Sequence, residues 1–281
     1  MKTLSEFCNQ ILYSGDLVDK LISIPDDVQL DENHQQSIPD FPIRSKKFSF
    51  SEKKSKIPRL EHLHISENRG IAMHHFANHE LMAIELFAWA LLKFPKIGIE
   101  YKLDLLRTIR EEQKHLKLYI ARMNELGIQF GDRPMNQIFW KYTKYMQSFE
   151  KFSAILSVSF EGANLDFSLL YQKTFEKIGD ETSAKIMNSV YLDEIKHVKR
   201  GLKVLDANKQ NSSQWEFYNS LIEYPFTPRR AKGYFFIPET RRKVGFEEDF
   251  ILKLAEYKDE FSNRKKEVIP KEMESWGIYT G

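Results

Sequence analysis

Six side chains in this sequence have the types and spacing to do chemistry together: Glu80, Glu112, His115, Glu161, Glu194 and His197. They read E, then E-x-x-H, then E, then E-x-x-H. Glu112 follows Glu80 by 32 residues and Glu194 follows Glu161 by 33, so the second half reads as a copy of the first. Glu and His three residues apart leave one face of a helix and can grip the same ion. Four Glu and two His in this order can hold two metal ions inside a four-helix bundle. Oxygen and imidazole donors with few thiolates suit iron or manganese better than copper(I). The expectation is two iron ions, with a manganese–iron pair as the other fit, and dioxygen as co-substrate.

Four helices must position these groups. Helix A spans Ser66 to about Phe94, with Ser66 as N-cap and Pro95 as its stop, and its seam is Met73, Ala77, Glu80, Ile84, Phe87 and Leu91. Helix B spans about Ile99 to Leu126, with Leu105, Ile109, Glu112, Leu116, Tyr119 and Met123 on its seam. A long helix C is expected from about Gln137 to Ile178, with a break near Gln147. Helix D runs from Glu181 to Asn208, with the seam Met187, Tyr191, Glu194, Val198 and Gly201. A lone ionised carboxylate on such a seam costs several kcal/mol, so it must be neutralised, paired or metal-bound. No Lys or Arg occupies a neighbouring seam position. Hairpin register agrees. Glu80 and Glu112 are each 16 positions from the A/B turn, and Glu161 and Glu194 are 17 and 16 from the C/D turn. Glu85 and Asp166 follow Glu80 and Glu161 by five positions, which turns them about 140° away.

The fold class expected is all-α: an antiparallel, ferritin-like four-helix bundle with an N-terminal arm and a C-terminal helical extension. The boundaries are 1–65 for an N-terminal helix and extended arm, 66–208 for the bundle and 209–281 for the extension. Gly15 interrupts helical spacing over 3–24. Residues 25–60 are an arm that Phe41, Phe48 and Phe50 pin down. The tail carries short helices at Trp215–Ile222 and about Glu247–Arg264.

The stretches "NHELMAIEL", "EEQKHL", "NELGIQFGDRP", "FEGANLD", "DEIKHV" and "RRAKGYFFIPETRRKVGF" resemble a ferritin-like family of largely uncharacterised bacterial proteins. That family belongs to the di-iron carboxylate superfamily, which includes the tRNA hydroxylase acting on methylthio-isopentenyl adenosine. The resemblance covers about residues 58–255. It implies the fold and the six ligands, and leaves the substrate open. In similar di-iron proteins the acid before each E-x-x-H, here Glu111 and Asp193, often hydrogen-bonds a ligand histidine.

Other features have bland readings beside functional ones. His62, His64, His74, His75 and His79 crowd the start of helix A. They read as a third metal site or, more simply, as capping and solvent-facing residues. Tyr119 and Tyr191 are core tyrosines or redox partners of the metals. The basic runs Lys46, Lys47, Lys53, Lys54, Lys56 and Arg229, Arg230, Lys232, Arg241, Arg242, Lys243 are solvated surface or phosphate contacts.

With 281 residues, 42% hydrophobic and 29% charged, the chain suits a globular protein with a large core. One cysteine, Cys8, excludes an internal disulfide and fits a reducing compartment. The most apolar run, Ile84–Phe94, is shorter than the roughly 20 residues a bilayer requires. The expected location is cytoplasmic, without a membrane. A net charge of +2 gives no general argument for nucleic acid. The function expected is a non-haem di-iron oxidase or oxygenase that hydroxylates, desaturates or N-oxygenates an organic substrate, either a small molecule or a tRNA base. An electron-donating reductase is the expected partner, and a homodimer is an allowed assembly. The alternative is a ferritin- or rubrerythrin-like protein that oxidises iron or removes peroxide.

Overall fold

The computed structural model describes residues 3–25, 28–31, 38–53 and 55–259. Among these residues the chain is all-helical, with ten α-helices and no strand. Only two isolated bridges occur, Thr3 with Gln29 and Phe50 with Met135. Among the described residues no helix is long and apolar enough to cross a membrane. Two compact units form, one from residues 1–143 and 174–186, the other from 144–173 and 187–281.

The first unit is built on a helical hairpin, α3 (Ser66–Lys93) and α4 (Ile99–Glu125). Every residue of the two expected seams is buried. Helix α3 is enclosed on nearly all sides, because α1 (Leu4–Tyr13) and α2 (Leu17–Lys20) also pack on it. Helix α3 begins one position earlier than the capping argument places it: Ile65 is the N-cap and Ser66 is already helical. At α1 the cap is built from side chains, with Thr3 Oγ1 accepting from Glu6 N and Glu6 Oε2 accepting from Thr3 N.

The described part of the arm belongs to this unit. Phe41 packs against Phe50 and Trp140, and Phe48 against Phe130, at ring separations of 5.3–6.2 Å. The turn before α7 (Glu181–Asn208) also belongs here. Asp180 accepts Ser183 N at 3.0 Å and two bonds from Arg122 at 2.8 and 2.9 Å.

In the second unit, the long helix expected from Gln137 starts later. Trp140–Tyr145 is a 3-10 turn, and α5 (Phe149–Phe152) starts where Ser148 Oγ accepts Lys151 N. The apolar spacing of 138–146 serves the turn, whose Trp140 and Tyr142 are buried. From α5 the chain continues through a π-helical stretch, Ser153–Phe160, into α6 (Glu161–Lys177). Helix α7 presses close to that stretch, since a Cβ on Gly201 would stand 2.4 Å from Ser157 Cβ. Helices α8 (Gln214–Leu221), α9 (Pro238–Val244) and α10 (Glu248–Glu256) follow, with Tyr218, Phe246 and Phe250 at the centre of their apolar core. Helix α9 is absent from the sequence expectation, and its Pro at N1 is the signal that was available. The last helix ends at Glu256, and the expected continuation over 260–264 lies outside the described residues, as does Lys54.

Candidate metal centre

Each unit gathers one Glu and one E-x-x-H pair. In the first, ligand atoms of Glu80, Glu112 and His115 all lie within 4.8 Å of one another. Helix α3 supplies Glu80, and α4 supplies Glu112 and His115 one turn apart. All three are buried. His115 Nδ1 is 3.5 Å from Glu80 Oε2 and 3.5 Å from Glu112 Oε2. That spacing is wider than an ordinary charge-assisted hydrogen bond. Burial pushes the Glu80 carboxyl well above the usual carboxylate range, and the charge of Glu112 pushes it further, against the opposing pull of His115. A cation among them would relieve that penalty.

The second unit repeats the construction. Ligand atoms of Glu161, Glu194 and His197 lie within 4.8 Å of one another, and all three residues are buried. His197 Nδ1 is 3.5 Å from Glu194 Oε2. Asn164 Nδ2 donates to the other oxygen, Glu194 Oε1, at 3.2 Å. The bond fixes the carboxylate's rotation, so that Oε2 faces the imidazole. Asn164 was not singled out in the sequence, although it lies one turn after Glu161 on the same helix face. Buried oxygen and imidazole donors in both triads fit a divalent first-row cation.

Neither Glu85 nor Asp166 joins a triad, in line with their rotation around the helix. Both are fully used elsewhere. Glu85 takes two bonds from Arg44, at 3.0 and 2.6 Å, and lies 3.1 Å from Lys20 Nζ. Asp166 takes both terminal nitrogens of Arg241, and also Gly233 N at 2.9 Å and Ile237 N at 3.0 Å. Gly233 is required there, because a Cβ would stand 2.8 Å from Asp166 Cβ. Asp193 is buried and accepts from Lys196 at 2.8 Å. Tyr119 and Tyr191 are buried, and Tyr191 OH accepts from Lys243 Nζ at 3.3 Å.

The tail's basic run divides: Lys232 and Arg241 are buried and bond within the chain, whereas Arg242 and Lys243 are exposed, in line with the solvated-surface reading. Arg229 donates to Lys232 O and Gly233 O, and Lys232 Nζ to Ala255 O and Tyr257 O. Arg241 is buried on Asp166, and Arg242 joins Glu239 and Glu248. The crowded histidines divide. His64 Nδ1 lies 2.8 Å from Glu61 O, and His74 Nε2 accepts Gly131 N at 3.0 Å.

No curated protein and no solved structure matches this chain. Residues 11–252, most of its length, match the family described as protein of unknown function (DUF455), and the chain belongs to that family.

Proposed function

We propose that this protein is a ferritin-like di-iron oxidase or oxygenase that spends dioxygen on an organic substrate. Glu80, Glu112 and His115 would hold one ion, and Glu161, Glu194 and His197 the other. The observation that carries this reading is the duplicated triad: twice, a buried Glu meets a buried E-x-x-H pair with their ligand atoms within 4.8 Å of one another. A bound iron pair supplies reducing electrons for dioxygen and a Lewis-acid field for developing negative charge. The chain's own residues orient the donors and keep water out. Asn164 holds Glu194 in one rotation. Ile109, Leu116 and Tyr119 line the helix around Glu112 and His115 with buried apolar surface. A reductase would renew the electrons after each turnover.

The test is oxygen uptake by the protein loaded anaerobically with ferrous iron. The expected result is rapid uptake limited to about two ferrous equivalents per chain, abolished in Glu112→Ala. Uptake that continues through many equivalents favours the iron-storage reading. Uptake at the rate of free ferrous iron in buffer would exclude both.

A further inference from the structure

The face of α3 next to the Glu80 face carries a second group of nitrogen donors. His75 and His79 are one helical turn apart, and their ring centroids are 4.5 Å from each other. Both residues are half-buried. Phe76 stands at the edge of the His75 ring, and Phe139 lies 5.0 Å from His79. His75 Nδ1 is 3.4 Å from Ser55 Oγ. With Nδ1–H donating to that hydroxyl, the lone pair falls on Nε2. A hydrogen bond to one ring nitrogen that sets the other for coordination is the usual companion of a metal-bound histidine.

We propose that His75 and His79 form a mononuclear site for a borderline first-row cation, copper(II) or zinc(II), separate from the two carboxylate triads. Two imidazoles at i and i+4 are a chelating pair on one helix face. An imidazole site without carboxylates favours copper and zinc over the harder cations. The His75 ring is already in the neutral, ligating form at physiological pH. Desolvation by the surrounding rings brings His75 down to about 4, with the neighbouring His74 adding to the effect. His74 is not a member, since its Nε2 is spent on Gly131 N. Solvent would complete the coordination. Glu80 is the residue after His79, so the proposed ion would lie within about 8 Å along the helix axis of the first triad, at 1.5 Å rise per residue.

The test is a copper(II) titration of metal-free protein, read by electron paramagnetic resonance. The first equivalent is expected to show hyperfine splitting from two nitrogens. His75→Phe and His79→Phe should each remove that signal, whereas Glu161→Gln should keep it. The same two-nitrogen signal in both histidine variants would overturn the proposal. Should those variants fold poorly, the wild-type chain still decides: one equivalent of zinc(II) should shield His75 and His79 from diethyl pyrocarbonate, read by mass spectrometry, and equal modification with and without zinc would overturn it. Loss of iron binding in Glu112→Ala bears only on the triads.

Discussion

Asp166 and Arg241 are locked in a buried, two-pronged ion pair 75 residues apart in sequence. Asp166 follows Glu161 by the same five positions by which Glu85 follows Glu80, and Glu85 holds Arg44 in the same two-pronged way. In each unit, therefore, the helix that supplies the lone Glu of the triad carries a second acid five residues on. That acid ties an appended segment to the helix: the N-terminal arm in one unit, the C-terminal extension in the other.

Removing one member of the Asp166 pair leaves an uncompensated buried charge. Arg241→Met should cost about 3–5 kcal/mol in urea unfolding. Adding Asp166→Leu should recover only part of this, because Gly233 N and Ile237 N then lose their acceptor. A loss under about 1 kcal/mol in the single variant would contradict this role.

The N-terminal latch gives a different readout. Arg44 also donates to Phe48 O and stands 4.2 Å over the Phe50 ring, so it ties the arm to itself as well as to Glu85. Arg44→Ala removes charge-assisted bonds of about 1.5–3 kcal/mol each. Limited proteolysis between residues 44 and 56 should then run roughly tenfold faster or more, since cleavage follows the population of the open form. An unchanged rate would show that the aromatic contacts hold the arm without the latch.

Gly201 is a packing requirement. Gly201→Ala would push a methyl group into Ser157, at the π-helical stretch that leads to Glu161. Overpacking of this kind costs about 1–3 kcal/mol. Ser157→Gly in the same chain should restore most of the loss, and a fully stable Gly201→Ala would refute the close approach.

Acid should weaken the fold through His74. Burial brings its imidazole down to about 4, with Asp132 opposing and Arg133 adding to the shift. The unfolded chain takes up this proton near the ordinary value of about 6.5, while the folded chain refuses it until about 4. The neutral ring's contribution is therefore whole above about pH 6.5 and is lost as pH falls toward 4. His75 behaves in the same way. Urea midpoints measured from pH 7 to 4.5 should fall. His74→Gln, which keeps an acceptor for Gly131 N, should flatten the slope, and an identical slope would remove His74 from the account.

The sequence revealed the two triads because helical periodicity alone puts a carboxylate on a seam, and because the pattern occurs twice. The same periodicity set Glu85 and Asp166 apart from the triads. Their arginines were not legible, since Arg44 and Arg241 come from segments without sustained periodicity. The late start of α5 was missed because residues 138–146 have helical spacing yet bury their aromatics from a 3-10 turn. The π-helical turns before Glu161 shift the period locally, and no residue type announces them. Asn164 was legible in principle, one turn past Glu161, but an amide beside a carboxylate has many simpler explanations.

The central claim is most directly tested by the iron content of the purified chain after anaerobic loading and desalting, measured by plasma mass spectrometry. The account predicts two iron ions per chain in the wild type, with marked loss in Glu112→Ala and in Glu194→Ala. An iron content near zero, or one unchanged by both substitutions, would contradict it.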